Sequence, residues 1–387
     1  MKIVIRTLEG LESVLSKEAE KLHLSDIQIV RRGITCQGNW AQLYKANYLL
    51  RTAIRILVPI KECTITTQQD YYDAIRAMDW TSYFRGRKTT FAVQAVIVSD
   101  IFTNSHFAAL RCKDAIVDSY LAHKGHRPNV SVSNPDMLIQ VYLSGDQLSV
   151  SLDSSGKSLH LRGYKERSFK APLNEVLAAG ILGMSDWNGQ KTFCDPMCGS
   201  GTFTTEALMM ATHTPAGHFR ANYAFEKWAD YHHEIWKTVK GNADAAISEP
   251  EADLHASDLN SFAVRDLKKN LQKFKYRKSV SISQADFLAS AGKADSIVML
   301  NPPYDERIKL YNVVSFYRSI GDKLKTDWSS SEAWVISSHT QAMKNFGLKT
   351  SVKHDLDNGG LKARLYKFDL YEGTLSNQDN NSTRTGD

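Results

Sequence analysis

Residues 192–202 read Thr-Phe-Cys-Asp-Pro-Met-Cys-Gly-Ser-Gly-Thr and carry a strong fold signal. The stretch begins as a short strand, turns through two glycines and enters a helical pattern over 203–211. Glycines in such a turn let the backbone pass close to a ligand at a topological switch point, where the strand order of a sheet reverses. The Gly-x-Gly-x-x-Gly pattern of dinucleotide sites is absent from this loop. The loop predicts a site for a nucleotide-like ligand, with a tight structural turn as the alternative.

The chain beyond residue 171 alternates strands and helices, which predicts a doubly wound, mainly parallel sheet. After the helix 173–182 and the glycine loop, later strands are predicted at 252–257, 279–284, 296–300, 333–338 and 365–370. Asp258 and Asp286 stand where two successive strands should end. A carboxylate after the first of these strands can accept hydrogen bonds from ribose hydroxyls, and one after the second can meet an adenine amine. Taken singly, each residue is more often an ordinary turn aspartate.

Asn301-Pro302-Pro303-Tyr304 directly follows an apolar strand. Two prolines fix the backbone and remove two N–H donors, which leaves exposed carbonyls beside the Asn amide oxygen. An exocyclic base amine has two N–H donors on a flat ring. Asn301 and the Pro302 carbonyl can orient that amine while Tyr304 stacks on the base. A bare turn is the alternative.

The N-terminal half predicts two small α+β units, one over the first 65 residues and one ending in a hairpin at Ser144-Gly145-Asp146. A hinge is predicted in the polar stretch 154–170. The tail 373–387 has too little apolar sequence to fold and is expected to be disordered.

Composition excludes several classes of protein. The chain has 387 residues, 42% of them hydrophobic and 23% charged, as in soluble globular proteins, and no run of 18 apolar residues occurs. With no apolar leader at its start, we expect a cytoplasmic protein. Its five cysteines lack the spacing of a zinc site, so no metal is expected. The net charge of +6 favours a polyanionic partner. Basic clusters occur at 31–32, 85–88, 162–170 and 268–278, and each fits either a solvated face or a phosphate contact.

The glycine loop and the Asn301 motif together resemble class I methyltransferases that act on amino groups of bases. The entire chain resembles the THUMP-containing RNA guanine-N2 methyltransferases, and most of all the bacterial 23S ribosomal RNA guanine-N2 methyltransferase family. The resemblance covers about residues 1–372. Further matching stretches lie at 107–118, 162–164, 171–173, 177–179, 225–228, 364–366 and 368.

The resemblance implies an α/β fold: a ferredoxin-like domain at 1–65, a THUMP RNA-binding domain at 66–154 and a Rossmann-like class I methyltransferase domain at 155–372. The implied cofactor is S-adenosylmethionine, and the implied partner is RNA, 23S ribosomal RNA in particular. Residues expected to bind the cofactor are Asp195, Pro196, Cys198, Gly199, Ser200, Gly201, Thr202, Asp258, Asp286 and Asn301. Residues expected to act on the base are Asn301, Pro302, Pro303 and Tyr304. Residues expected to contact RNA are Arg85, Arg87, Lys88, Arg111 and Lys113.

Two departures and three alternatives stand beside this interpretation. The link from Gly201 to Asp258 is long, so 213–251 must contain an insertion with its own helix, which we expect to pack as a satellite core and not to line the base pocket. Asn174 replaces a basic residue that relatives commonly carry. The alternatives are a transfer RNA guanine-N2 methyltransferase, an N6-adenine methyltransferase and a non-catalytic RNA-binding protein.

Overall fold

The structure is a computed structural model that describes residues 1–165, 173–303, 310–358 and 361–372. Tyr304 and the tail predicted to be disordered lie outside the described residues. The chain divides into two compact units. Unit 1 comprises Met1–Gly163 and Pro215–Ala246, and unit 2 comprises Tyr164–Thr214 and Ile247–Asp387.

Unit 1 is built on one eight-stranded sheet with the order β2-β3-β1-β4-β8-β7-β5-β6. The ten-residue strand β4 pairs with β1 at its start and with β8 along its length, so the two α+β regions predicted here share a continuous sheet. The β7–β8 hairpin turns at the predicted place, because Ser144 pairs with Gln147. The strands are β1 Lys2–Arg6, β2 Ser25–Val30, β3 Gly33–Gln37, β4 Arg55–Thr64, β5 Thr90–Val98, β6 Asn129–Val130, β7 Met137–Ser144 and β8 Gln147–Asp153.

Side-chain caps define the starts of several unit 1 helices. Asn39 begins α2 by accepting from the Gln42 N–H at 3.0 Å, and the Gln42 side chain accepts from the Asn39 N–H in return. Thr67 and Asp70 form the same reciprocal cap on α3. The helices are α1 Glu12–Lys21, α2 Trp40–Leu49, α3 Gln68–Arg76, α4 Ser105–Lys124 and, from the second chain segment of the unit, α7 His233–Ala245.

The inserted segment Pro215–Ala246 packs in the core of unit 1. Phe225 is fully buried, and its ring stacks on Tyr44 of α2 with centroids 4.4 Å apart. Trp236 of α7 meets Tyr48 edge to face at 5.3 Å. The Gly217 N–H donates to the Tyr48 carbonyl at 2.9 Å. The predicted helix of the insertion is present as α7, but the segment packs in the main core of unit 1 and not as a satellite core.

Unit 2 holds a seven-stranded sheet with the order β11-β10-β9-β12-β13-β15-β14. The first five of these strands run parallel, and β15 is antiparallel to both its neighbours. The strands are β9 Thr192–Asp195, β10 Leu254–Asp258, β11 Val280–Gln284, β12 Ser296–Leu300, β13 Glu332–Ser337, β14 Val352–Asn358 and β15 Leu361–Asp369. The helices are α5 Glu175–Met184, α6 Thr202–Ala211, α8 Ser261–Asn270, α9 Leu310–Asp327 and the single turn α10 Thr340–Met343.

The central position of β9 fixes where a ligand can bind in unit 2. After β9 the chain builds β10 and β11 on one side, then crosses to place β12 on the other side of β9. Ligands of such sheets bind at the carboxyl ends of the strands on either side of this topological switch point. The predicted α/β class with a doubly wound sheet is confirmed. Within the four described ranges, no helix is both long and apolar enough to span a bilayer.

Candidate active site

The glycine loop connects the carboxyl end of β9 to the start of α6. Gly199 and Gly201 both have positive φ angles, of 54° and 80°. A Cβ atom on Gly199 would meet nothing within 4 Å, whereas one on Gly201 would lie 2.1 Å from the Leu267 side chain of α8. The space above Gly199 is therefore open to a ligand, and the absence of a side chain at Gly201 lets the loop pack on α8.

Hydrogen bonds tie this loop to the neighbouring strand and helix. Asp258, at the end of β10, accepts from the Gly199 N–H at 2.8 Å and from the Asn260 N–H at 2.8 Å. The Cys198 N–H donates to the Ser257 carbonyl at 3.0 Å, and the Asn270 side chain of α8 donates to the Ser200 carbonyl at 3.0 Å. The loop is therefore held by β10 and by α8, and the side of the loop at Gly199 stays accessible.

Asp195, the last residue of β9, is a buried carboxylate with one free oxygen. Its Oδ2 accepts from the Thr204 hydroxyl at 2.7 Å and N–H at 3.2 Å. Its Oδ1 has no hydrogen-bond partner within the described part of the chain. Burial raises the pKa of Asp195 to about 7, the Thr204 hydrogen bonds oppose this shift, and the charge of Asp258 adds to it. A buried, unpaired acceptor of this kind fits a cationic or N–H-bearing group of a ligand.

The remaining loop residues expected to bind a cofactor differ in accessibility. Cys198 is buried, and burial raises the pKa of its thiol, which disfavours a nucleophilic thiolate there. Pro196 and Thr202 are also buried, while Ser200 is half-buried.

Asp286, after β11, is exposed and accepts from the Leu288 N–H at 2.9 Å, as a turn aspartate does. The Ala285 N–H donates to the Asp258 carbonyl at 3.1 Å, which links the ends of β10 and β11.

Asn301, Pro302 and Pro303 leave the carboxyl end of β12, a strand with all five residues buried. Asn301 is half-buried, Pro302 buried and Pro303 exposed. The Asn301 Oδ1 is itself buried and has no hydrogen-bond partner among the residues that the structure describes. Since β12 adjoins β9 in parallel, with Val298 opposite Cys194, this second unpaired acceptor follows the strand next to that of Asp195. The predicted role of Tyr304 falls outside the described residues.

The residues expected to contact RNA lie at two places in unit 1. Arg85, Arg87 and Lys88 are exposed in the loop before β5. Arg111 and Lys113 of α4 line a cavity of about 440 Å³ together with Tyr72 and Arg127. The Arg111 guanidinium lies 4.5 Å from the Tyr72 ring centroid. Lys113 is paired with Asp114 at 2.7 Å, which reduces the positive charge in this cavity.

Sequence reasoning missed four residues of these sites. Thr204 holds Asp195, and Asn270 holds the glycine loop, but a threonine and an asparagine within helices give no local signal of this role. Tyr72 and Arg127 join Arg111 only through the fold, because they lie on α3 and beyond the end of α4.

Five parallel strands with β9 at their centre, a glycine loop after β9 and an Asn-Pro-Pro turn after the adjacent strand define a Rossmann-like methyltransferase. Comparison with family models agrees. The RMKL-like methyltransferase domain matches residues 162–367, the THUMP domain residues 66–153 and the RlmL ferredoxin-like domain residues 2–57. The chain belongs to the RMKL-like methyltransferase family and carries a THUMP domain.

Individual relatives extend over nearly the whole chain. A candidate RNA methyltransferase of Synechocystis sp., slr0064, is 32% identical over 94% of this chain and 95% of its own. The structure of SMU.472, a candidate methyltransferase in complex with SAH, is 28% identical with a TM-score of 0.85, covering 96% of this chain and 99% of the other. TrmN from Thermus thermophilus shares the fold at 15% identity, with a TM-score of 0.72 over 95% of this chain and 99% of its own.

Proposed function

We propose that this protein transfers a methyl group from S-adenosylmethionine to the exocyclic N2 amine of a guanine in RNA, and that this RNA is 23S ribosomal RNA. The cofactor is S-adenosylmethionine, since the chain belongs to a methyltransferase family and SMU.472 was crystallised with SAH. The observation that carries the choice of an amine as acceptor is the buried, unpartnered Oδ1 of Asn301 at the end of β12, which has no partner within the described ranges.

The glycine loop and the acidic strand ends would hold the cofactor. The free Oδ1 of Asp195 suits the ammonium group of the methionine part, and the open space at Gly199 suits close approach of the ligand to the backbone. Asp258 keeps lone pairs for ribose hydroxyls beside the two N–H groups that it already accepts. Asp286, exposed at the next strand end, is assigned to the adenine amine.

The Asn301 turn would bind and orient the acceptor amine. When bound, S-adenosylmethionine supplies a methyl group already activated by the positive sulfur. The main task of the chain is therefore to position the amine in line with this methyl group. Positioning of this kind lowers a reaction barrier by several kcal/mol, as the effective molarities of intramolecular reactions show. The Asn301 Oδ1 and the Pro302 carbonyl accept the two N–H groups of the amine. These hydrogen bonds strengthen as positive charge develops on the nitrogen.

RNA as the substrate is supported by the modules of unit 1. The chain carries a THUMP domain, and the Synechocystis relative is named as an RNA methyltransferase. A base stacked in a helix cannot reach a site at the end of β12, so the target nucleotide must be flipped out. The exposed Arg85, Arg87 and Lys88 and the cavity at Arg111 would hold the surrounding RNA by its phosphates. Guanine in place of adenine rests on the resemblance of the N-terminal half to guanine-N2 enzymes.

The test compares modified nucleosides by mass spectrometry in ribosomal and transfer RNA from three strains: wild type, a deletion strain and one carrying Asn301→Ala. We expect one N2-methylguanosine of 23S ribosomal RNA to disappear in both defective strains. The Asn301→Ala protein should lose about 100-fold in turnover, as enzymes do when they lose one well-placed polar group at a reacting centre. Asn345→Ala, in the same unit, serves as the control and should keep the modification.

The other outcomes separate the alternatives. Loss of N2-methylguanosine from transfer RNA would move the substrate, and loss of N6-methyladenosine would replace the base. Unchanged modification in every RNA, with no methyl transfer by the purified protein, would leave an RNA-binding protein.

A further inference from the structure

Helix α8 and the turn after it concentrate the positive charge of the chain. Residues 265–278 contain seven lysine and arginine side chains and one carboxylate, that of Asp266. The resulting charge of +6 equals the formal net charge of all 387 residues. No residue of this segment belongs to the RNA contacts or the cofactor site described above, except that Leu267 and Asn270 support the glycine loop.

Five cations of this segment are exposed and have neither an ion-pair nor a hydrogen-bond partner in the described ranges. They are Arg265, Lys268 and Lys269 of α8, and Lys275 and Lys278 in the turn. By contrast, the lysines of α9, another helix of unit 2, are paired: Lys323 with Asp327 at 2.6 Å and Lys325 with Asp322 at 3.6 Å. An ordinary solvated helix face mixes its charges as α9 does.

Two aromatic side chains accompany these cations. Phe262, in the first turn of α8, is 63% exposed, and the Arg265 guanidinium lies 5.0 Å from its ring centroid. In the turn, Lys275 Nζ lies 4.8 Å from the ring centroid of the half-buried Tyr276. Exposed rings beside cations are what proteins use to bind single-stranded nucleic acid, because bases stack on the rings while phosphates meet the charges.

The segment is fixed to the candidate cofactor site. Helix α8 begins three residues after Asp258, which holds the Gly199 N–H. Leu267 fills the space beside Gly201, and Asn270 donates to Ser200. The exposed side of α8 carries Arg265, Lys268 and Lys269. A strand of RNA bound along α8 would therefore be held by the same helix that supports the cofactor loop.

We propose that Phe262, Arg265, Lys268, Lys269, Lys275 and Lys278, together the basic stripe, bind a single-stranded segment of the substrate RNA outside the base pocket. This proposal rests on RNA being the substrate, as proposed above. The stripe contacts phosphates and one stacked base without reading sequence. The methyltransferase unit thus grips RNA itself, in addition to the THUMP domain.

The test uses the full-length protein and a fluorescein-labelled 12-nucleotide oligouridine in a fluorescence anisotropy titration at several salt concentrations. The triple variant Arg265→Gln, Lys268→Gln, Lys269→Gln should bind about 100-fold more weakly at about 0.1 M salt. The slope of log affinity against log salt should fall by about 2, since each lost phosphate contact to a single strand removes about 0.7. Phe262→Ala should lower affinity about five-fold or more with an unchanged slope, because stacking releases no counterions.

The matched control is Lys344→Gln, Lys349→Gln, Lys353→Gln, which removes the same charge from exposed positions of the same unit. This control should bind oligouridine as the wild type does. Equal weakening by both triple variants would show a general charge effect and overturn the proposal, as would unchanged binding by the stripe variant. Loss of binding to phosphatidylglycerol vesicles by the stripe variant, with oligouridine binding intact, would assign the stripe to a membrane instead.

A second readout separates this proposal from the proposed function. Radioactive methyl transfer from S-adenosylmethionine to total ribosomal RNA of the deletion strain is measured for the wild type and both triple variants. The stripe variant should show a KM for RNA raised about ten-fold with kcat retained, and S-adenosylhomocysteine binding should be equal in all three proteins. If the wild type methylates no RNA, the proposed function fails. If it methylates RNA and the stripe variant has an unchanged KM, only the stripe proposal fails.

Discussion

Asp195 combines a buried carboxylate with an oxygen that has no partner in the described ranges, and both properties disfavour its charge. Without a cationic partner its charge is costly in the low-dielectric interior, which is why its pKa is raised to about 7. Thr204 offsets part of this cost with two hydrogen bonds. A bound ligand that brings positive charge would relieve the remainder, so ligand binding and folding should be coupled at this residue.

The pH dependence of stability follows from that shift. The folded state binds the Asp195 proton more tightly than the unfolded chain, in which an aspartate has its ordinary pKa of 3.8. This stabilisation is therefore full below about pH 4 and is lost as the pH rises through about 7. We expect the ligand-free wild type to lose roughly 5 °C in Tm relative to Asp195→Asn between about pH 5 and pH 8. Scanning calorimetry measures the difference.

Asp286→Asn, which removes a carboxylate from an exposed position of the same unit, is the control. A Tm difference between wild type and Asp195→Asn that stays constant across the same pH range would contradict a raised pKa at Asp195.

At the scale of elements, the loop between β9 and α6 contains two glycines, two residues apart, to which we assign different roles. Gly201 allows packing against α8, and Gly199 leaves space for a ligand. Gly201→Ala combines a positive φ with a clash against Leu267, so the free energy of unfolding should fall by about 3 kcal/mol. Gly199→Ala has only the positive φ and should cost about 1 kcal/mol. Urea unfolding measures both.

Ligand binding should show the reverse order. The methyl group of Gly199→Ala enters the open space above the loop, and we expect S-adenosylhomocysteine affinity to fall about ten-fold or more by calorimetry. Folded Gly201→Ala should lose less affinity. If Gly199→Ala binds as well as the wild type, the open space above Gly199 does not hold the cofactor.

Elements with local signals were predictable, and those defined by distant partners were not. The mainly apolar run of β12 gave its predicted bounds, 296–300, directly. In contrast, β14 has only Val352 and Leu356 as apolar residues, and its strand conformation comes from pairing with β15.

Arg162 looked like part of a basic surface cluster, yet it is buried and donates to the Leu159 carbonyl. Asn174, whose role the sequence left open, caps α5 by accepting from the Val176 N–H at 2.9 Å.

The same division applies to the candidate site. The spacing of Asp195, Gly199, Gly201 and Asn301 predicted their gathering at neighbouring strand ends, because parallel strands place their carboxyl ends at one edge. The exposure of Asp286 depends on the turn after β11 and had no sequence signal.

At the scale of the whole molecule, the insertion is part of a unit that its sequence position does not suggest. Phe225→Ala should lower the stability of unit 1 by about 3–4 kcal/mol, since a fully buried ring is lost from the aromatic cluster with Tyr44. Hydrogen exchange should show faster amide exchange in α2 but not in α6. Phe346→Ala, which removes a fully buried ring from the core of unit 2, is the matched control and should speed exchange in α9 instead. Faster exchange in α6 with Phe225→Ala would contradict this assignment.

The chain passes from one unit to the other three times, at residues 163–164, 214–215 and 246–247. No single cut can then yield a self-contained catalytic fragment, because a piece starting at Tyr164 would keep residues 215–246 without the core that covers Phe225 and Trp236. Such a fragment would expose aromatic surface and tend to aggregate. During synthesis, unit 1 likewise stays incomplete until residue 246 has been made, although THUMP strand β8 ends at Asp153. The two units are therefore not independent in folding, because the chain crosses between them three times. An isolated catalytic domain would require an engineered loop in place of residues 215–246.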